Sequence, residues 1–183
     1  MQSIQTVSEN TIYVGASDRR LAKFENLFPI PRGVSYNAYV ILDEKTALLD
    51  TADASVGAQF LENVAAALDG RKLDYLIVDH MEPDHAAMIE AVLVRWPDLR
   101  LVVNAKTLPM LKMYFPTDSA AIDDALVVKE GDTLDLGKHK LTFVMAPMVH
   151  WPEVMMTFDT TTGTLFSADA FGTFGALEGA LFA

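Results

Sequence analysis

The chain has 183 residues, 51% of them apolar and 21% charged, with a net charge of −11 and no cysteine. That is the length of one domain with enough apolar material for a sizeable core. The acidic balance disfavours nucleic-acid partners, and the lack of thiols excludes disulfides, iron–sulfur clusters and thiolate metal sites. No apolar run reaches the ~18 residues of a membrane span. The start, Met1-Gln-Ser-Ile, has neither the basic stretch nor the apolar core of a secretory signal, so the expected location is the cytoplasm.

Residues 3–15 alternate loosely around Glu9-Asn10 and predict a β-hairpin. Residues 18–34, with Pro29, Pro31 and Gly33 among Phe24, Leu27 and Phe28, read as an irregular, partly apolar loop. Residues 35–42 and 46–50 flank Asp43-Glu44-Lys45 as a second hairpin. Phe60, Leu61, Val64 and Leu68 form one helical stripe over 55–69, ended by Gly70. Residues 73–79 are a short apolar run bounded by polar residues, as in a strand buried on both faces.

A helix is predicted from near Asp84 to about Arg95, ahead of Trp96-Pro97. A strand follows at 101–104, then a short helix over 106–114, where Pro109 fits only the first turn. Residues 125–128, 140–146, 155–159 and 164–167 read as further strands, with turns at Gly131, Gly137 and Gly163. The order β-rich, then α, β, α, then β-rich predicts an α/β sandwich, two sheets covered by helices. Residues 169–183 are apolar and glycine-rich to the last position. Chain termini are usually polar, so this segment predicts a chain cut short of its domain's end.

The run over 73–79 leads into His80-Met-Glu82-Pro-Asp84-His85. Two imidazoles and two carboxylates within six residues, on a strand-to-helix turn, can converge on one point. Charged groups are rarely buried unless they are paired or bind metal. Taken singly, Asp84 also suits a helix N-cap and His85 a polar first-turn position. His150 follows a second apolar run and precedes Trp151-Pro152-Glu153; alone it reads as a hydrogen-bonded, half-buried histidine. Asp169 follows Leu165-Phe-Ser-Ala168 in the same strand-then-ligand pattern, though alone it reads as a loop-starting aspartate. Glu153 is placed either behind a ligand imidazole or in a surface salt bridge, the second being expected. His139, in the polar turn Gly137-Lys-His-Lys140, is expected in solvent. Three histidines and three carboxylates are too many for one tetrahedral zinc. They suit two metals bridged by a carboxylate, and a nitrogen–oxygen donor set suits iron or manganese as well as zinc.

These segments resemble the N-terminal metallo-β-lactamase-like domain of the flavodiiron proteins, or A-type flavoproteins. Hydrolases of that superfamily carry His-x-His-x-Asp-His, whereas here the second ligand position is Glu82, the mark of the diiron branch. Residues 27–37, His150-Trp-Pro-Glu153 and residues 166–177 resemble the family as well. The resemblance covers nearly the whole chain as one domain, 1–183. It implies an αβ/βα sandwich of metallo-β-lactamase type, truncated at its C-terminal end. It also implies two iron ions: His80, Glu82 and His150 on one, Asp84 and His85 on the other, and Asp169 between them.

The implied reaction is reduction of dioxygen to water or of nitric oxide to nitrous oxide. Its electrons would come from flavin mononucleotide (FMN) in a C-terminal flavodoxin-like domain. A rubredoxin- or flavin-reductase-type donor and a head-to-tail homodimer complete the implied partners. Met81 and Phe171 are expected to give the site an apolar surround. The family's last ligand, a histidine beyond Asp169, has no counterpart in residues 170–183, and the flavodoxin-like domain is absent from the chain, so the 183 residues alone are expected to turn over weakly or not at all. Two alternatives stand beside this reading. One is a zinc-dependent hydrolase of the same superfamily, and the other is a metal-free folding or dimerisation unit.

Overall fold

The computed structural model describes residues 3–116, 119–179 and 181; the expectation for the chain's last residues falls in part on 180, 182 and 183, outside the described residues. β1 (Gln5–Ser8) and β2 (Thr11–Tyr13) form the first predicted hairpin. Its turn uses Asn10 at a φ of 64°, a conformation asparagine tolerates better than most residues. The segment read as an irregular loop is more ordered than its composition suggests. β3 (Ala16–Asp18) pairs with β6 (Val34–Tyr36), and between them β4 (Lys23–Phe24) pairs with β5 (Phe28–Pro29). β7 (Tyr39–Leu42) and β8 (Thr46–Leu49) are the second hairpin, but its first predicted strand, 35–42, is divided, since residues 35 and 36 belong to β6 and pair with β3. β9 (Tyr75–Ile77), β10 (Arg100–Asn104) and β11 (Leu126–Val128) then add in parallel. The resulting sheet has seven strands in the order β1-β2-β7-β8-β9-β10-β11.

The crossovers between the parallel strands are helical. α1 (Gly57–Leu68) links β8 to β9, α2 (Pro83–Ala86) and α3 (Ile89–Arg95) link β9 to β10, and α4 (Thr107–Tyr114) and α5 (Ser119–Asp123) link β10 to β11. The second sheet is an antiparallel meander, β12 (Thr133–Asp135), β13 (Lys140–Met145), β14 (Met155–Asp159) and β15 (Thr164–Phe166).

Strand alternation builds two cores from one sheet. Val40, Leu48, Leu76, Leu101 and Val103 pack toward Phe60, Val64, Ile89, Val92 and Leu111 of the helices. Their neighbours Ile41, Ala47, Leu49, Ile77 and Val102 pack toward Leu134, Leu141, Phe143, Met155 and Phe166 of the second sheet. This is the predicted sandwich, with its central strands buried on both faces.

The single helix predicted from Asp84 to Arg95 is instead two helices. Thr51 explains the break. Its backbone N–H and its hydroxyl both donate to the His85 carbonyl, at 2.8 and 2.6 Å. That oxygen is thereby taken from the helical bond four residues on, and the chain restarts at Ile89. β12 and α5 escaped the sequence reading because they are too short to show a period.

Candidate metal centre

Four side chains come from the turn that follows β9. Met81 packs into the helix-side core, and its neighbours His80 and Glu82 turn the other way. Glu82 is the extended N-cap of α2, with Pro83 at the first helical position, where its missing N–H costs nothing. Asp84 and His85 lie in that helical turn. His150 comes from the connection between β13 and β14, and Asp169 from the turn after β15. Six residues from three separate segments therefore meet at one edge of the sandwich.

Their ligand atoms form two groups, His80–Glu82–His150–Asp169 and Asp84–His85–Asp169, each with all its atoms within 4.8 Å of one another. Glu82 Oε2 lies 3.1 Å from His80 Nε2 and 2.7 Å from His150 Nε2. Asp169 belongs to both groups. Its Oδ2 lies 3.4 Å from His80 Nε2 and 3.3 Å from His150 Nε2, while its Oδ1 lies 2.7 Å from His85 Nε2. Asp84 Oδ2 is 3.7 Å from the same His85 nitrogen.

The far sides of the two buried imidazoles are also held. His80 Nδ1 donates to Glu153 Oε1 at 2.8 Å, and the same oxygen accepts from Met81 N at 3.0 Å. Asn104 fixes the Glu153 carbonyl at 2.6 Å, and the Trp151 ring stands edge-on to His80. Glu153 is 1% exposed, so the surface salt bridge expected for it is corrected to a buried partner of His80. His85 Nδ1 donates to Asp50 Oδ2 at 2.9 Å, and Asp50 Oδ1 accepts from Asp79 N at 2.7 Å. Sequence reasoning missed Asp50. The signal was present, since Asp50 follows the apolar strand β8 as Asp169 follows β15.

His139 corrects another expectation. It is buried and donates through Nδ1 to Asp159 Oδ2 at 2.8 Å, away from the metal groups. Its polar flanks hid a partner 20 residues downstream.

The electrostatics follow from these contacts. Burial works against a charged His80, but hydrogen bonds to Asp169, Glu153 and Glu82 outweigh it and lift its pKa to about 11. Burial also opposes charge on His85, and Asp169 and Asp50 again win, raising it well above the usual imidazole range. For Asp169 burial pushes upward, yet its bonds to His80 and His85 hold it well below the usual carboxylate range. Burial lifts Asp84 to about 6, partly offset by His85. In the metal-free chain protons thus sit among atoms that can also serve as ligands.

The donor set tests well against a pair of hard or borderline ions. It holds only imidazole nitrogens and carboxylate oxygens, suited to iron, manganese or zinc. Asp84 Oδ1 is buried with no hydrogen-bond partner among the described residues, as for a carboxylate built to serve something other than protein. A cavity of about 440 Å³ opens over Glu82, Asp84, His85, His150 and Asp169. Its apolar wall comes from Phe24, Phe28, Val34 and Phe174, not from the residues expected. Met81 is in the helix-side core and Phe171 is 89% exposed.

A family model described as "ODP family beta lactamase" matches residues 34–182. An anaerobic nitric oxide reductase flavorubredoxin of Klebsiella pneumoniae is 37% identical over 168 residues, which cover 91% of this chain and 34% of that protein. Among solved structures, a flavodiiron protein from Giardia intestinalis superposes with a TM-score of 0.90 at 28% identity, over 97% of this chain and 42% of that one. A rubredoxin oxygen:oxidoreductase from Desulfovibrio gigas gives a TM-score of 0.90 at 31% identity, over 96% of this chain and 43% of that one. The chain spans about a third of the length of the curated relative.

Proposed function

This chain belongs to the ODP beta-lactamase family and matches the N-terminal domain of flavodiiron proteins, and from that membership we propose that it carries a two-iron centre for reducing dioxygen to water, nitric oxide to nitrous oxide, or both. The observation that carries the reading is the double placement of Asp169, one oxygen toward each group of ligand atoms. His80, Glu82 and His150 would hold one iron, Asp84 and His85 the other, and Asp169 belongs to both groups of ligand atoms. A ferrous pair bound there would supply two electrons, enough for two nitric oxide molecules to give one nitrous oxide, while dioxygen would need two more from the reduced flavin.

The chain's own residues do the rest. Glu153 and Asp50 hold the Nδ1 sides of His80 and His85, which fixes each ring with Nε2 toward the centre. Phe24, Phe28, Val34 and Phe174 line the way in and favour a small uncharged ligand over water and ions. Electrons come from FMN in a flavodoxin-like domain, served by a rubredoxin- or flavin-reductase-type donor. A head-to-tail homodimer brings the flavin of one subunit to the centre of the other. No helix among the described residues is long and apolar enough to cross a membrane, and the cytoplasm is the proposed location. With three residues in the second group against four in the first, the 183 residues alone are expected to turn over slowly.

The deciding test is elemental analysis of protein purified without oxygen after growth with iron available. About two irons per chain support this reading. Zinc without iron supports a hydrolase, against which Glu82 stands as the shared partner of His80 and His150. No stoichiometric metal leaves a folding unit.

A further inference from the structure

The apolar wall of the metal cavity has two sides of different construction. Phe24 and Phe28 stand on the β4–β5 ribbon as a cross-strand pair. The Leu27 N–H donates to the Phe24 carbonyl at 2.9 Å across the turn, and the Ile30 N–H donates to the Ala22 carbonyl at 3.1 Å at the other end. Those two rings are carried by paired backbone. Phe174 meets them from a segment without regular structure. Its ring lies 5.1 Å from that of Phe24 and 6.3 Å from that of Phe28, and it lines the cavity with Glu82, Asp84, His150 and Asp169.

That segment is anchored at both ends. Upstream, the Gly172 N–H donates to the carbonyl of Asp169 at 3.0 Å, the residue shared by the two groups of ligand atoms. Downstream, the Ala176 N–H donates to the Arg32 carbonyl at 2.9 Å and the Leu177 N–H to Ser17 Oγ at 3.1 Å. The Arg19 guanidinium donates to the Leu177 carbonyl at 2.8 Å, and the Gln5 amide to the Gly179 carbonyl at 2.7 Å. Between the anchors the hold is slight. Arg32 reaches the Phe174 carbonyl only at 3.4 Å, longer than the usual range. Among the described residues Thr173 and Gly175 make no hydrogen bond. A Cβ at Gly175 would meet nothing within 4 Å, so open space surrounds the backbone there. The Phe174 ring, with the residue 42% exposed, is therefore kept over the cavity chiefly by its two aromatic contacts, each individually weak.

We propose that Phe174 is a specificity-determining residue, the movable jaw of a size gate over the metal centre. Closed against Phe24 and Phe28 it passes a diatomic gas, and it swings outward to admit anything as large as a ring. The proposal rests on the two-ion reading of the centre. A short span held at both ends moves its side chain without unpairing a strand, and Gly175 supplies the backbone freedom. The fixed jaw is the ribbon. Free imidazoles and carboxylates carry the same donors as the centre itself and would compete for its open metal positions; the gate holds them out by size.

The test uses the full chain loaded with cobalt(II), whose visible absorption reports ligands arriving at the metal. Azide and imidazole are the small and large probes, and stopped-flow mixing gives their association rates. Phe174→Ala is expected to speed imidazole entry by about 10-fold, the rate equivalent of losing two ring contacts, while azide enters at the wild-type rate. Gly175→Ala, at a position whose φ is not left-handed, removes backbone freedom and is expected to slow imidazole alone. Imidazole entry unchanged in both variants overturns the gate, as does equal acceleration of azide and imidazole in Phe174→Ala. Loss of cobalt from Phe174→Ala also overturns it, because the ring would then be holding the metal pocket together. Wild type that takes up fewer than two cobalt equivalents brings down the two-ion reading, and the gate with it. Wild type with two equivalents and no discrimination by size brings down the gate alone.

Discussion

Glu153 and Asp50 bear no resemblance to ligands in this structure, yet each decides what an imidazole can offer. Each accepts from the Nδ1 of one buried histidine, so the Nε2 atoms are the ones left to face the centre. Glu153→Ala removes the acceptor of both His80 Nδ1 and Met81 N. Calorimetric titration is expected to show metal affinity at the His80 group falling by about 10–100-fold. Urea unfolding of the metal-free variant is expected to show a loss of about 1–3 kcal/mol. His139 provides the contrast. Its bond to Asp159 is buried but remote from the centre. His139→Ala is expected to cost about 1–3 kcal/mol in the same unfolding experiment, with metal stoichiometry and affinity unchanged. A change in metal binding there would show the two clusters to be coupled.

Helix α1 shows how elements hold the site without touching it. Phe60 and Val64, both fully buried, seat it on the seven-stranded sheet, whose strands β8 and β9 lead directly to Asp50 and His80. Phe60→Ala is expected to lower unfolding free energy by about 3–5 kcal/mol, read by urea unfolding. Elements of this kind were legible in the sequence. The stripe Phe60-Leu61-Val64-Leu68 carries its own period, the apolar run before Asp79 is marked by its length and polar bounds, and the clustering of His80, Glu82, Asp84 and His85 needed only local spacing. What stayed hidden depends on partners distant in sequence. The break between α2 and α3 is imposed by Thr51, 34 residues before His85. The burial of Glu153 depends on His80, 73 residues away. The apolar cavity wall is assembled from the β4–β5 ribbon and Phe174, whose rings meet at centroid distances of 5.1 and 6.3 Å. No local pattern at residues 18–34 announces a wall for a site built elsewhere.

At the scale of the molecule, the clustered charges make stability and metal binding respond oppositely to pH. His80 has its pKa raised from 6.5 to about 11, so the folded chain holds that proton more tightly than the unfolded chain. Its contribution is fully present below about pH 6.5 and is lost as pH rises toward 11. His85 shifts in the same direction. Asp169 and Glu82 are shifted down; their contribution is present above their ordinary values of 3.8 and 4.5 and is lost in acid. Asp84, raised from 3.8 to about 6, loses its contribution between those values, so the metal-free chain is expected to pass its stability maximum before pH 6.5. Its Tm should fall from pH 6.5 to 9. Metal displaces those same protons, so its stabilising effect should grow over that range. Thermal unfolding with and without a chelator across pH 5–9 checks both slopes, and a metal-free Tm that rises toward pH 9 would contradict the proton placement.

The edge position of the centre has a mechanical side. Its ligand atoms hang from both sheets, with Glu82 and His150 68 residues apart and His85 and Asp169 84 apart. Ions gripping those pairs would close two long loops, and the entropy of loop closure grows only slowly with length. In a chain without cysteine they would act as a removable cross-link, one that chelation could cut and metal remake. Stripping the metal should therefore quicken amide hydrogen exchange around His150 and Asp169 while the amides of β9 and β10 stay protected.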